Sequence, residues 1–191
     1  MSATATVRYG VRMAHPRRAH DEAQDIASRE PRAARAPAVR WVWCPFGALS
    51  GAQVHAALAL RAAVFVVEQA CVFVDPDAFD LASHHLLGYL DHTGEKNGSQ
   101  LIAYLRVTSP GAKYDEPSIG RVVTSPAHRG LGLGFALMTE GLARTRASYH
   151  EHPIRVSAQQ HLSGFYARLG FEIVSPVYLE DGIAHVEMLA R

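Results

Sequence analysis

Apolar and polar residues alternate with a period of two in several short stretches of the chain, which is typical of β-strands with one buried face. The clearest case follows Pro153, where Ile154, Val156 and Ala158 alternate with polar neighbours. Residues 92–99 contain Asn-Gly between two such stretches and predict a hairpin turn. Strands are predicted at 39–44, 85–91, 101–108, 118–124, 154–158, 171–178 and 183–189, with a closing turn at 180–182.

Three other stretches repeat their apolar positions every three to four residues and predict helices. The first follows Ser50, a helix-capping residue, and places Val54, Leu58, the stem of Arg61 and Phe65 on one face. The second covers 132–149 with Leu133, Leu137, Leu142 and Ala143 facing one way, and the third covers 162–169 and ends at Gly170. An irregular connection is expected over 66–80. This order predicts a mixed α/β fold, with a mixed central sheet and helices on both faces.

Residues 1–38 have no sustained apolar period and are rich in Ala, Arg, Pro and His. Such a segment buries too little apolar area to offset its ordering entropy, so we predict a flexible tail followed by one domain at 39–191. A start of the protein at Met13, or nearer Val39, is a second interpretation. A transit peptide is a third, and the four acidic residues of the segment argue against it.

Composition argues against three classes: membrane proteins, disulfide-rich proteins and nucleic-acid-binding proteins. The apolar runs end at a charge before the roughly 18 residues that a membrane span needs, which predicts no membrane segment. Two cysteines, Cys44 and Cys71, are too few for a disulfide scaffold, so a reducing cytoplasm is expected. Residues 1–40 hold eight arginines against four acids, whereas 41–191 hold eleven basic and fourteen acidic residues. The slightly acidic domain argues against a nucleic-acid partner.

The glycine-rich segment after the fourth predicted strand is the most informative part of the chain. Gly130, Gly132 and Gly134 lie between this strand and the start of a long helix, with Arg129 beside them. Glycines allow a ligand close to the backbone, and the first N–H groups of a helix are unpaired. The arrangement therefore predicts an anion site suited to a phosphate or pyrophosphate. It lacks the Gly-Lys-Ser/Thr of a nucleotide P-loop and the spacing of a dinucleotide fingerprint.

Arg129-x-x-Gly132-x-Gly134 after Val-Val-Thr-Ser-Pro resembles the coenzyme A motif of the GNAT N-acetyltransferases. The segment from Ser157 to Phe171 is similar to a second motif of that family, although Gln159 stands where the family usually has Asn. The chain also resembles the ElaA-like branch over about residues 50–190, through Glu68-Gln69, Asp75-x-Asp77-x-x-Asp80 and Glu180-Asp-Gly-Ile-x-His185.

This resemblance implies an enzyme that transfers an acetyl group from acetyl-CoA, its cosubstrate, to a primary amine on a small molecule or peptide. The backbone of Val122, Val123 and Thr124 would hold the pantetheine arm, and Gln159 would add an amide contact. The pyrophosphate would lie on Arg129, Gly130, Leu131, Gly132, Leu133, Gly134 and Phe135.

For catalysis, the resemblance implies that Tyr166 protonates the leaving thiolate, and packing against Phe165 and Phe171 is its structural alternative. Glu68 is the candidate base, with a structural carboxylate as its alternative. His161 and His185 are candidate substrate contacts.

No metal site is predicted, because His84 and His85 are adjacent on a strand and point to opposite faces. Asp75, Asp77 and Asp80 are expected to form a solvated acidic loop, or to attract a cationic amine.

Two other functions remain open at this point. One is an acyl-CoA-binding or sensing module without turnover, and the other is an acyltransferase for a longer chain, with an apolar tunnel beside Phe135 and Tyr166. The sequence does not identify the acceptor amine or the oligomeric state, and a homodimer is one alternative.

Overall fold

The computed structural model describes residues 38–91 and 99–191. The tail predicted for 1–38, apart from residue 38, and the turn predicted for 92–99, apart from residue 99, lie outside the described residues.

Within the described ranges, eight strands form one mixed sheet in the order β1-β2-β3-β4-β5-β8-β6, with β7 paired to β8. The strands are β1 Val39–Pro45, β2 His84–Asp91, β3 Ser99–Thr108, β4 Ser118–Thr124, β5 Ile154–Gln159, β6 Phe171–Ile173, β7 Tyr178–Glu180 and β8 Ile183–Ala190. The mixed α/β class and the strand positions are confirmed, and the predicted strand 171–178 is divided into β6 and β7. The division lies next to Pro176, whose ring removes a ladder donor.

Helices cover both faces of this sheet, as predicted. α1 (Gly51–Arg61) begins at Ser50, whose hydroxyl accepts a hydrogen bond from the Gln53 N–H while the Gln53 side chain accepts one from the Ser50 N–H. It packs through Ala57 on a cluster that includes Leu87 and Tyr104. A π-helical segment, Ala62–Glu68, continues it. Together they form, within the described residues, one helical stretch long and apolar enough to span a membrane by length and composition alone.

On the opposite face, α2 (Leu133–Ser148) packs on the larger core cluster. Gly141 allows its close approach, because a Cβ there would lie 2.6 Å from Leu105 Cδ2. The prediction that Ala143 belongs to the buried face is wrong, because Ala143 is exposed and Met138 and Thr145 are buried instead. A short helix, α3 (Ser163–Ala167), precedes Gly170.

The connection between the π-helical segment and β2 is held by a buried network of charges. Arg61 donates to Asp75 at 2.7 Å and to Asp80 at 2.8 Å, and its side chain is 1% exposed. Arg106 on β3 binds Asp80 at 2.7 Å and also Asp77, and Arg121 on β4 lies 2.8 Å from Asp75. The expectation of a solvated acidic loop is therefore wrong, because these three aspartates face three arginines inside the fold. We call these six residues the Arg–Asp network.

Two uncharged side chains complete this region. The Tyr104 hydroxyl lies 2.7 Å from His85 Nδ1, and His85 Nε2 lies 2.9 Å from the Asp80 carbonyl oxygen. Since a carbonyl only accepts, Nε2 carries the proton and Nδ1 accepts from Tyr104. Burial lowers the pKa of His85 and so favours this neutral form. His84 points to the other face and stacks on Trp43 at 5.0 Å.

The network predicts a loss of stability in acid. Burial alone would raise the pKa of Asp80, but hydrogen bonds from Arg61 and Arg106 outweigh it and lower the pKa to about 2. A depressed folded-state pKa stabilises the protein above the unfolded value near 4, and this stabilisation is lost as the pH falls towards 2. We expect the free energy of unfolding from urea titrations to fall by about 2 kcal/mol over this window through Asp80 alone.

Asp80→Asn leaves Arg61 and Arg106 short of one buried carboxylate, so we expect it to lower the free energy of unfolding at pH 7 by about 3 kcal/mol. It should also remove the contribution of Asp80 to the acid dependence. Asp115→Asn, at an exposed position, is the matched control and should change stability by less than about 0.5 kcal/mol. Equal effects of the two variants would contradict a stabilising network.

Candidate active site

β4 and β5 open a cleft in the middle of the sheet because they run parallel but pair only at their starts. Ser118 and Arg155 are the paired positions between these two strands within the described residues. The Arg155 N–H donates to the Pro117 carbonyl oxygen at 3.0 Å, and beyond this point β4 pairs with β3 alone. Its other edge, over residues 120–124, is therefore open to a ligand with hydrogen-bonding groups of its own.

A bulge in β4 shapes this edge. The pairing with β3 shifts between Tyr104 and Arg106, and Arg121 has a φ of 51°. The Val122 side chain lines the cleft, whereas Val123 is buried against the cluster under α1. Val122, Val123 and Thr124, the residues predicted to hold the pantetheine arm, thus lie on one open strand edge. They would bind the arm through main-chain N–H and C=O groups.

The strand leads into the predicted anion site. Gly130 and Gly132 have φ values of 79° and 74°, and Gly132 is the N-cap of α2. No side chain of the described residues caps this helix, and its first turn holds no acid. A Cβ at Gly130 or Gly132 would meet nothing within 4 Å, so the space over the loop is open. The uncapped N–H groups and the helix dipole suit a bound pyrophosphate.

Arg129 and Glu68 form a pair beside this loop. Arg129 Nη1 lies 2.7 Å from Glu68 Oε1, and Nη2 lies 3.0 Å from Oε2. The hydrogen bonds from Arg129 lower the pKa of Glu68, which makes its carboxylate a weaker base. Glu68 is also absent from the described residues that line the cleft. This geometry favours the alternative of a structural carboxylate that orients Arg129.

The cleft itself has an interior volume of about 180 Å³ and joins residues from distant parts of the chain. Of the predicted site residues, it brings together Val122, Gln159, Tyr166 and His185. His161 is exposed and does not line the cleft. Gln159 reaches across the opening, where its Nε2 lies 3.3 Å from Gln69 Oε1.

Tyr166 combines a fixed ring with a cleft-facing position. Phe165 and Phe171 contact its ring edge-to-face, with centroids 5.1 and 5.7 Å away. Burial raises the pKa of Tyr166 to about 12, so the phenol keeps its proton at neutral pH. Both the packing role and the acid role predicted for Tyr166 are thus compatible with this position, because packing orients the group that would donate the proton.

The wall of the cleft opposite β4 is polar. β8 lies between β5 and β7, and His185 pairs with Gln159 on one side and Tyr178 on the other. Ser157 Oγ lies 2.9 Å from Glu180 Oε2 and 2.6 Å from the Tyr178 hydroxyl. The hydroxyls of Tyr114 and Tyr178 each donate to Glu187 Oε1 at 2.8 Å.

Sequence reasoning missed Ser157, Glu180, Glu187 and Tyr114 as members of this wall. The signal for Ser157 was present, because it alternates with the buried Val156 and Ala158 and so shares a face with Gln159. Glu180 was predicted as part of a turn and belongs to the motif shared with the ElaA-like branch, but neither observation gave it a place in the cleft.

Among the described residues, no group of three or more histidine, cysteine, aspartate or glutamate side chains has an arrangement that could hold a metal ion. Cys44 and Cys71 are both free thiols.

Comparisons with known proteins agree with this geometry. The family profile described as an acetyltransferase (GNAT) domain matches residues 89–191. A UPF0039 protein of Synechocystis is 41% identical over 153 residues, which are 80% of this chain and 96% of that protein. The protein ElaA of Escherichia coli is 39% identical over 152 residues, 78% of this chain and 95% of ElaA.

Solved structures show the same relationship. An acyl-CoA N-acyltransferase from Pseudomonas aeruginosa superposes with a TM-score of 0.73 at 39% identity, over 81% of this chain and 100% of that one. The crystal structure of Escherichia coli ElaA gives a TM-score of 0.72 at 37% identity, with the same coverage of 81% and 100%. This chain belongs to the GNAT acetyltransferase family, in its ElaA-like branch, and has the fold of an acyl-CoA N-acyltransferase.

Proposed function

We propose that this protein transfers an acetyl group from acetyl-CoA to a primary alkyl amine. The observation that carries the proposal is the course of β4. Its open edge lines the cleft with Tyr166 at residues 120–122, and the chain then continues into a glycine loop and an uncapped helix N-terminus. Main-chain groups suit the amides of a pantetheine arm, and the helix start suits the pyrophosphate.

The size of the cleft favours acetyl over a longer acyl group. Its interior of about 180 Å³ is small, and it must receive the acceptor amine as well as the acyl group. The second cavity, about 240 Å³ and apolar, shares no lining residue with the cleft. It lies over Arg61 and Tyr104, so it does not extend the space beside Tyr166 for a longer chain.

The chemistry requires two proton transfers. A neutral amine nitrogen attacks the thioester carbonyl carbon, and the carbon–sulfur bond breaks to release a thiolate. Tyr166 supplies a proton to that sulfur, and the proton that the attacking nitrogen loses replaces it. The wall of Ser157, Glu180 and His185 receives the amine. Holding donor and acceptor in one narrow cleft also lowers the entropic cost of bringing them together.

Donor binding and turnover test the proposal separately. Acetyl-CoA should raise the melting temperature of the protein, and a longer acyl-CoA of equal concentration should release less thiol. Thiol release against a panel of primary amines should identify at least one acceptor. Stabilisation by acetyl-CoA without thiol release from any amine would instead favour the binding or sensing module.

Tyr166→Phe removes the hydroxyl and keeps the ring that packs between Phe165 and Phe171. Because a positioned general acid contributes about 10²–10⁴-fold, we expect kcat to fall by about 10²-fold or more with a KM for acetyl-CoA within a few-fold. Tyr149→Phe is the matched control, since its hydroxyl contacts Ser109 outside the cleft at 3.0 Å. Equal rates for Tyr166→Phe and the unmodified enzyme would show that Tyr166 only packs.

Glu68→Gln distinguishes a base from a partner of Arg129. Exposed ion pairs contribute little to binding, so we expect the dissociation constant for acetyl-CoA to change by less than about fivefold, with kcat at saturating donor changed no more than that. A loss of kcat of about 10²-fold or more, with donor binding intact, would restore Glu68 as the general base.

A further inference from the structure

His185 occupies the centre of the polar wall of the cleft. It lies on β8, directly opposite Gln159 of β5 and Tyr178 of β7, and its side chain lines the same cleft as Tyr166. The Tyr178 ring stacks on the imidazole at 6.0 Å with an interplanar angle of 29°. The register of three strands therefore fixes where this ring stands.

Hydrogen bonding also fixes which nitrogen of the ring is basic. His185 Nδ1 lies 2.9 Å from the Ile183 carbonyl oxygen. A carbonyl oxygen only accepts, so Nδ1 carries the proton of the neutral ring and Nε2 carries the lone pair. Nε2 has no hydrogen-bond partner within the ranges 38–91 and 99–191. An imidazole with an uncommitted nitrogen therefore lines the cleft.

Most other candidate bases near the cleft are engaged or lie outside it, and Asp181, which lines the cleft, is an exposed turn residue. Glu68 is paired with Arg129, and Glu187 accepts hydrogen bonds from two phenols. His85 uses both ring nitrogens in the core, and His161 lies outside the cleft.

Glu180 accepts a hydrogen bond from Ser157 and places a negative charge on the same wall as His185.

We propose that His185 is the general base of the reaction, and that its Nε2 takes a proton from an acceptor bound as an alkyl ammonium beside Glu180. This inference rests on the proposed acetyl transfer and names the residue that prepares its nucleophile. Over one turnover the ammonium nitrogen loses two protons and gains the acetyl carbon. One proton passes to Nε2 and then to water, and the second replaces the proton that Tyr166 gives to the leaving sulfur.

Two acceptors that differ in whether they are protonated at pH 7 test this role. An alkyl ammonium must lose a proton before it attacks, whereas hydroxylamine is already neutral at pH 7. His185→Gln keeps a polar side chain without a basic nitrogen. With the best alkyl amine of the panel, we expect it to lower kcat by about 10²–10⁴-fold, and with hydroxylamine by less than about fivefold. Both are measured as thiol release at saturating acetyl-CoA.

His55→Gln is the matched control, because it makes the same substitution at an exposed position of α1 outside the cleft and should leave both rates unchanged. A thermal shift with acetyl-CoA shows that each variant is folded and binds the donor. If His185→Gln is unstable, His185→Ala with added imidazole replaces it, and the free imidazole should restore the rate with the alkyl amine.

The possible results separate this proposal from the one on which it rests. Equal losses with the two amines, or no rescue by imidazole, would overturn the role of His185 and leave acetyl transfer intact. Absence of thiol release from the unmodified enzyme with every amine would overturn both proposals together.

Discussion

The Arg–Asp network is the interaction on which the rest of the site depends. Arg61, Arg106 and Arg121 come from three separate elements, and all three bind aspartates of the single segment 75–80. Charges this deeply buried are stable only when each has a partner, so the segment has one position over β3 and β4. The chain just before it contributes Cys71 and Phe73 to the cleft, and Arg121 lies over the Phe73 ring at 5.5 Å. The network therefore holds one side of the cleft and ties the bulged strand β4 to it through Arg121.

The divergence of β4 and β5 creates the cleft in the sheet. A parallel pair that continued past Ser118 and Arg155 would satisfy its own backbone and leave nothing for a ligand. Because the two strands diverge, β4 keeps open main-chain groups, and the polar face of β5, β8 and β7 becomes a wall opposite them. Open main-chain groups and polar side chains thus face each other across one cleft, an arrangement that suits an acyl transfer between two substrates.

Where interpretation of the sequence was wrong or incomplete, long-range pairing was the cause. The aspartates at 75, 77 and 80 are typical of a solvated loop until their three arginine partners, up to 46 positions away along the chain, are brought to them. The partner of Glu68 could not be predicted for the same reason, because a lone acid after an apolar run gives no sign of an arginine 61 positions later. Charge pairs leave no periodic signal in a sequence, so their partners become visible only after the chain has folded.

The sequence by itself determined the helices and strands of this protein and its glycine-rich turn. Strand alternation, the Ser50 cap and the glycines at 130 and 132 act through local sterics and hydrogen bonding, which depend on near neighbours alone. Tertiary structure decided which side chains share the cleft. Gln159 and His185 meet there because β8 inserts between β5 and β7, and α3 adds Tyr166. The hydrogen bond of His185 Nδ1 to Ile183 is local, but only this strand order brings the imidazole into the cleft. Strand order joins residues across the chain, and that arrangement is set by global packing, which no local pattern encodes.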